Sequence, residues 1–213
     1  MPSSLAHGLA GVALAGLAQH FPGRTASLVP RGNRARFLLL AGALACAASA
    51  PDLDFVPGVL LGDPDWLHRG RSHSLLAATM VGTMAYAVGR MARREAAAPF
   101  AILMGLAYAS HVFLDMFSPD PVRFNGVPAF WPLSDHHIVV PASVFLPIRR
   151  DPASGGFLAS LWSLHNAYAV LREAVIMGVV VSLARITGRF ISEGGSRQAT
   201  SRPMLDHRVD SES

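Results

Sequence analysis

Five apolar segments, separated by polar connections, limit what this chain can fold into. They cover residues 5–18, 37–50, 74–92, 99–117 and 174–191. A membrane-spanning helix needs about 20 consecutive apolar residues, a length that the last three segments meet. The first two contain only 14 residues each and predict partial or tilted spans packed against the longer helices. The sequence therefore predicts an all-α integral membrane bundle of four to five transmembrane or partly spanning helices.

The composition excludes an ordinary soluble domain and gives no sign of nucleic-acid binding. Of the 213 residues, 51% are hydrophobic and only 15% are charged, and the mean hydropathy is +0.36. All 18 basic residues are arginines, but they are dispersed between the apolar segments and form no single basic stripe. The one cysteine, Cys46, lies in the second apolar segment, so an internal disulfide and a cysteine-based zinc site are both excluded.

The distribution of arginine predicts an orientation in the cytoplasmic membrane. Short cytoplasmic loops are enriched in basic residues. If the N-terminus lies outside, the cytoplasmic side holds 12 of the 18 arginines. They lie after the first segment, at and after the end of the third segment, and from the end of the fifth segment into the tail: Arg24, Arg31, Arg34, Arg36, Arg90, Arg93, Arg94, Arg185, Arg189, Arg197, Arg202 and Arg208. The acidic stretch 52–65 and the loop 118–156 then face the extracytoplasmic side. Arg149 and Arg150 in that loop count against this orientation.

The chain divides into a membrane-embedded domain over residues 1–192 and a tail over residues 193–213. The tail is rich in Ser, Arg and Gly and has no apolar periodicity, which predicts disorder. His207 lies in this tail and is not a candidate for a functional site.

Ionisable residues collect at the ends of the predicted helices. They stand near the start of the first apolar helix, after the second, before the third and at the end of the fourth. In an up-and-down bundle these four ends lie on the same face of the membrane, whichever way the protein is oriented. We therefore expect convergence of His7, Asp52, Asp54, His68, His73, His111 and Asp115.

The residue types in this set predict a divalent metal site. His111 and Asp115 are four residues apart, so both project from one helical face and can bind one metal or two adjacent metals. Burying an unpaired carboxylate in this apolar stretch is costly, which favours ligation or ion pairing. Histidine with aspartate suits Zn²⁺ first, with Mn²⁺ or Fe²⁺ as alternatives. The predicted metal ligands are His7, Asp52, His68, His73, His111 and Asp115.

Each member of the set also has a simpler interpretation. His111 and Asp115 would serve equally as a hydrogen-bonded pair between helices, and Asp52 and Asp54 as turn residues after Pro51. A single histidine near a membrane interface, such as His7, needs no ligand.

Two arginines lie beside the histidines of the 68–74 segment. Arg69 and Arg71 either bind an anionic substrate group, which arginine contacts in a bidentate manner, or act as interfacial anchors paired with nearby carboxylates.

The loop that follows the fourth helix contains weaker candidates. Phe130 and Trp131 stand beside prolines, which suits an interfacial belt or a lid. The next polar residues, Asp135, His136 and His137, have no predicted burial that a ligand would have to explain, and His165 lies in an undistinctive context.

Five motifs in order carry a family resemblance that covers residues 1 to about 133. They are His7 before a Gly/Ala-rich helix, Pro-Asp-Leu-Asp at 51–54, His-Arg-Gly-Arg-Ser-His-Ser at 68–74, His-Val-Phe-Leu-Asp at 111–115 and Phe-Trp-Pro-Leu at 130–133. With them the chain resembles the bacterial membrane-bound metal-dependent hydrolases, also described as LexA-binding, inner-membrane-associated hydrolases. The resemblance implies hydrolysis, a bound metal and a multi-pass location in the bacterial inner membrane.

A weaker resemblance connects the same residues to the zinc-dependent phospholipase C and single-strand nuclease pattern. That pattern continues with a later His-x-x-x-Glu/Asp pair, which has no clean match here because Ala169 stands four residues after His165.

These expectations combine into a hydrolase hypothesis. A metal-activated water would attack a phosphoester or ester, lipid-linked substrates included. The catalytic candidates are Asp52 or Asp54 as general base, and Arg69 to hold the substrate's charge. Membrane lipids and a small or lipid-linked anionic substrate are the expected partners.

The rival hypothesis is a non-enzymatic membrane protein with a structural metal site or a transport path. Transport requires polar residues at mid-membrane on several helices. Residues 8–18, 37–50 and 75–89 contain almost none, which favours a reaction site at the interface.

Overall fold

The chain forms a helical bundle, described here from a computed structural model over residues 2–21, 23–30, 32–63, 66–118, 126–149 and 157–200. Within these ranges there is no strand, and the one β-bridge joins Val127 to Ile138. The predicted all-α class is therefore confirmed. The helices are α1 (Ser4–Ala18), α2 (Arg34–Ser49), α3 (Phe55–Leu61), α4 (Leu75–Met91), α5 (Ala97–Asp115), α6 (Phe157–Ser160) and α7 (Leu164–Thr200).

In the described part of the chain, three helical stretches are long and apolar enough to cross a membrane. They are Arg34–Leu61, Ala97–Asp115 and Leu164–Ile191, and no more than 33% of the most apolar part of each is buried inside the protein, which leaves surface for contact with lipid. The first is longer than the 14-residue segment predicted there, because the tight turn Ala50–Asp54 continues the helical path from α2 into α3. Pro51 fits that turn because it stands in its first residues. α4 is shorter than predicted, at 17 residues, since Ser74 caps its start.

Close backbone contact brings α1 against α2. A Cβ built on Gly11 would lie 2.5 Å from the carbonyl carbon and oxygen of Leu44, so only glycine permits this approach. Small residues serve this purpose in membrane helix pairs, where packing replaces the hydrophobic effect. Because His7 lies one turn before Gly11, the same contact holds it beside the end of α2.

α4 and α5 form a second close pair. A Cβ on Gly82 would lie 3.2 Å from the Ala101 carbonyl oxygen, and one on Gly105 would lie 3.3 Å from that of Ala78. The two helices are joined by a short turn over residues 92–96 and therefore run antiparallel. The start of α4 thus lies next to the end of α5, where the predicted site residues stand.

α7 packs along α1 and runs parallel to it. Met177 contacts the Ala6 and Ala10 region, and a Cβ on Gly16 would lie 3.5 Å from the Arg185 side chain. α7 continues helical to Thr200, past residue 193, where the predicted tail begins. Residues 201–213, the rest of that tail, lie outside the described residues.

Candidate metal centre

The ends of four helices meet in one buried polar cluster. His7, His73, His111 and Asp115 are completely buried, and His68 is 5% exposed. Asp52 and Asp54 come from the turn after α2 and border the same cluster. The structure thus brings together all seven residues that the sequence singled out, as expected for helix ends on the same face of an up-and-down bundle.

Two histidine nitrogens face each other at the middle of the cluster. The Nε2 atoms of His73 and His111 are 3.1 Å apart. Asp115 Oδ2 lies 3.5 Å from His73 Nε2 and 3.7 Å from His111 Nε2. Asp52 Oδ1 lies 3.5 Å from His111 Nε2. Four donor atoms from four residues therefore surround one small volume.

The outer nitrogen of each ring, Nδ1, lies next to a hydrogen-bond acceptor. His111 Nδ1 is 2.8 Å from the carbonyl oxygen of Ala48, which can only accept, so Nδ1 carries the proton. His73 Nδ1 is 3.2 Å from Asp54 Oδ2, and Ser72 Oγ donates to that same oxygen at 2.8 Å. With Ser72 directed at Asp54, His73 Nδ1 also acts as a donor.

This arrangement leaves both inner nitrogens as lone-pair donors when the rings are neutral. Two lone pairs at 3.1 Å repel each other unless a proton or a metal cation lies between them. The nearby carboxylates of Asp52 and Asp115 attract such a cation further. The donor set therefore fits a divalent metal.

The pKa of His73 reflects the same surroundings. Burial opposes protonation of the ring, but the hydrogen bond with Asp54 and the negative charges of Asp115, Asp54 and Asp52 outweigh it. The pKa of His73 is consequently raised above its ordinary value. At His73, therefore, the neighbouring carboxylates favour positive charge more than burial opposes it.

His7 and Asp115 contribute buried polar atoms that make no hydrogen bond in the described part of the chain. Neither ring nitrogen of His7 does so, nor either oxygen of Asp115, nor Oδ1 of Asp52. His7 stacks on His111 with ring centroids 3.7 Å apart, and its Nε2 lies 3.5 Å from Asp115 Oδ1. Buried polar atoms are normally paired, and these border the same volume, so a bound cation would satisfy them together.

The donor atoms fall into two groups, each with all its atoms within 4.8 Å of one another. They are His7, His111 and Asp115, and Asp52, His68 and His73. Asp54 belongs to neither group. Its Oδ1 lies 3.0 Å from His68 Nδ1, and its Oδ2 contacts Ser72 and His73, so both oxygens hold neighbouring side chains.

The two arginines beside the histidines point in different directions. Arg69 is 1% exposed and adopts a positive φ of 56°, which is uncommon outside glycine. Its Nη2 donates to the Ser118 carbonyl at 3.0 Å, and its Nε lies 3.7 Å from Asp115 Oδ2. Arg71 is exposed and lies over the Trp131 ring, 5.0 Å from its centroid. Arg69 alone therefore reaches the cluster.

The weaker histidine candidates have other contacts. His136 is exposed, His137 Nδ1 lies 3.1 Å from the Asp135 carbonyl oxygen, and His165 Nε2 lies 3.0 Å from that of Pro147. The loop that contains His136 and His137 is held against α4 by a hydrogen bond from the Leu75 amide to the Ala129 carbonyl at 2.9 Å.

Sequence reasoning missed three groups near the cluster. Ser72 and the Ala48 carbonyl orient the histidine rings, and Glu173 on α7 is buried against the start of α1. Glu173 could have been found as the one carboxylate of the largely apolar stretch Leu164–Ile191, whereas a backbone carbonyl leaves no trace in the residue pattern.

Comparison with known proteins identifies one family. The family model described as YdjM inner membrane protein matches residues 1–193, which include every residue of the cluster. No curated protein and no solved structure shows significant similarity to the chain.

Proposed function

Since the chain belongs to the YdjM inner membrane protein family, we propose that it is a multi-pass, membrane-bound, metal-dependent hydrolase with its site at the extracytoplasmic face. The observation that carries the proposal is the pair of histidine Nε2 atoms 3.1 Å apart, with both outer nitrogens held by acceptors. The arginine distribution supports the orientation. The family supports the membrane location, and the chemistry rests on the cluster alone.

The residues that would hold the metal are His73, His111, Asp115 and Asp52, with His7 and His68 beside them. This nitrogen and oxygen donor set suits Zn²⁺ first, then Mn²⁺ or Fe²⁺. When bound, such an ion lowers the pKa of a water molecule and polarises a phosphoryl or acyl oxygen.

The two aspartates of the turn after α2 suit different roles. Asp54 has both oxygens engaged with His68, His73 and Ser72, so it orients the imidazole rings, as carboxylates commonly do around metal-binding histidines. Among the described residues, Asp52 accepts one hydrogen bond, from the Ser4 hydroxyl to Oδ2 at 3.3 Å, and its Oδ1 faces the cluster. Asp52 is therefore the better candidate for the base that takes a proton from water.

Arg69 is the candidate that binds negative charge on the substrate. It is the one buried arginine among the described residues, and it lies beside Asp115 at the edge of the cluster. A guanidinium group there would stabilise a phosphoryl or carboxyl oxygen. This supports an anionic substrate.

Apolar side chains next to the aspartate pair support a lipid-linked substrate. Leu53, between the two aspartates, is 66% exposed, and α3 immediately afterwards exposes Val56, Leu60 and Leu61. An acyl or polyprenyl chain would contact these side chains while its polar head reached the cluster. A phosphoester or ester carried on a lipid therefore matches the surface better than a free polar metabolite.

A structural metal site is the second candidate. Complete burial of three histidines and Asp115 favours it, because structural sites are closed whereas catalytic sites keep an open position. Such a protein would bind metal and catalyse nothing.

Metal content and hydrolysis, measured on the same detergent-purified samples, test both candidates. We expect wild-type protein to retain metal by elemental analysis and to cleave generic phosphodiester or ester substrates. His111→Ala and Asp115→Ala should lose the metal, while the control His165→Ala should keep it. Unchanged metal content in the first two variants rejects the proposal. Retained metal without hydrolysis of any substrate class supports the structural alternative.

A further inference from the structure

Glu173 is a buried carboxylate that the proposed chemistry does not use. It lies on α7, a helix that supplies none of the candidate metal ligands, and is 1% exposed. A carboxylate in an apolar, membrane-crossing helix carries a large desolvation cost unless other groups compensate it. Leucine or methionine at this position would pack against α1 without that cost, so packing alone does not explain the residue.

The partner of Glu173 is the first turn of α1. The backbone N–H of Ser3 donates to Glu173 Oε2 at 2.9 Å, and the Ser3 hydroxyl donates to the same oxygen. Ser3 is the N-cap residue of α1, but its side chain does not cap its own helix. A carboxylate from α7 thus lies at the N-terminus of α1, where the helix dipole favours negative charge.

A short chain of hydrogen bonds leads from Glu173 to the cluster. The Ser3 carbonyl accepts from the backbone N–H of Ala6 at 2.9 Å and from that of His7 at 3.4 Å. The next residue, Ser4, donates from its hydroxyl to Asp52 at 3.3 Å. The turn that Glu173 holds therefore carries His7 and contacts Asp52.

The contact between α1 and α7 continues beyond this turn with apolar side chains. Met177, one turn further along α7, packs with Ala6 and Ala10 in an apolar cluster. Such contacts tolerate sliding of one helix along the other, whereas a hydrogen bond between fixed groups does not. Glu173 thus supplies a directional contact that fixes the first turn of α1, and with it His7, along the axis of α7.

We propose that Glu173 is a positioning residue of the cluster, which holds Ser3 and thereby places the His7 ring against His111 and Asp115. The inference rests on the proposed function only where it concerns metal affinity. The placement of His7 itself is independent of any metal.

The first test is a double-mutant cycle read by Zn²⁺ titration of the full chain in detergent. Removal of an outer contact to a metal ligand typically weakens affinity by about 10- to 100-fold, and we expect the lower end for Glu173→Ala. Glu173→Gln keeps an acceptor for Ser3 and should stay within about 3-fold of wild type, since a full hydrogen bond is retained. In a His7→Ala background, Glu173→Ala should cause no further loss. An equal loss in both backgrounds overturns the inference.

The second test uses metal-free protein and remains decisive if the wild type binds no Zn²⁺. Hydrogen exchange of the amides of residues 3–8, and labelling of His7 by diethylpyrocarbonate, should both accelerate in Glu173→Ala. Neither should change in Glu173→Gln, and Met177→Ala serves as the packing control. Unchanged exchange and labelling in Glu173→Ala overturn the inference. If the wild type binds no Zn²⁺ but exchange and labelling accelerate in Glu173→Ala as expected, only the proposed function is overturned.

Discussion

Two segments of this chain contain histidine pairs close to aspartate, and only one of them forms a cluster. In the first, residues 68–74, His68 and His73 are buried and their Nδ1 atoms meet Asp54. In the second, residues 134–138, His136 is exposed and His137 contacts the Asp135 backbone. The difference shows that residue type alone does not gather donor atoms around one volume, because the packing of the helices decides which histidines are buried and where their ring nitrogens point.

The largest contrast between the two segments should come from removing one histidine of each. His73→Ala deletes an inner nitrogen, and we expect Zn²⁺ affinity to fall by more than about 100-fold, since a lost ligand exceeds the 10- to 100-fold effect of an outer contact. His137→Ala should leave affinity unchanged. Competition with a fluorescent chelator measures both, and similar losses in the two variants would contradict the comparison.

The second contrast concerns the carboxylates beside the histidines. Asp54→Asn keeps the shape of the side chain but weakens its hold on His68 and His73, so Zn²⁺ affinity should fall by about 10- to 100-fold. Asp135→Asn is the matched control and should have no effect. If Asp54→Asn preserved affinity while abolishing hydrolysis, Asp54 and not Asp52 would be the base.

The third prediction concerns the packing of α1 against α2, the two helices whose ends carry His7 and Asp54 to the histidines of residues 68–74. Gly11→Ala places a methyl group 2.5 Å from the Leu44 carbonyl, so α1 must move away from α2. We expect a loss of about 1–3 kcal/mol in the free energy of unfolding, the usual range for overpacking.

The control for this packing test is Gly42→Ala on α2. A Cβ at Gly42 meets nothing within 4 Å, so this variant should be neutral or slightly stabilising. Thermal unfolding in detergent compares the two variants, and equal stability would show that α1 and α2 are less closely packed than their backbones indicate.

The smallest effect is expected at the surface of the first segment. Arg71→Gln removes the guanidinium from the Trp131 ring and should cost about 0.5–1 kcal/mol of stability, typical of an exposed cation–π contact. Zn²⁺ affinity should not change, because Arg71 points away from the cluster. A marked loss of affinity would show that the exposed and buried faces of this segment are coupled.

Much of the fold followed from apolar run length, and the exceptions have local causes. The segment over residues 37–50 was too short to span a membrane by itself, yet Pro51 and the turn Ala50–Asp54 continue it to Leu61. An apolar segment of the sequence ends at the first polar residues, whereas a helix continues wherever the backbone can still form its hydrogen bonds. The same limitation applies to α7, which runs helical to Thr200 through a polar stretch.

The up-and-down direction of the helices predicted which residues meet at the site, but not how their atoms are arranged. Helix direction places one group of residues on the same face: His7, Asp52, His73, His111 and Asp115. It does not predict which of their atoms point into the cluster or what role each carboxylate has. Those assignments depend on differences of a few tenths of an ångström, such as 3.0 Å from Asp54 to His68 against 3.5 Å from Asp52 to His111.

The sequence by itself determined that the chain is a helical membrane protein whose histidines and aspartates collect at one face, because apolar run length and helix direction are properties of the chain's order. Only the tertiary structure decided which histidine nitrogens face into the cluster and which aspartate has both oxygens in contact with neighbouring side chains. It alone also decided that Glu173 holds the first turn of α1. Ser3 and Glu173 are 170 positions apart, and no local pattern relates them. Their contact exists because two parallel helices pack side by side, and packing depends on the shapes of both surfaces at once.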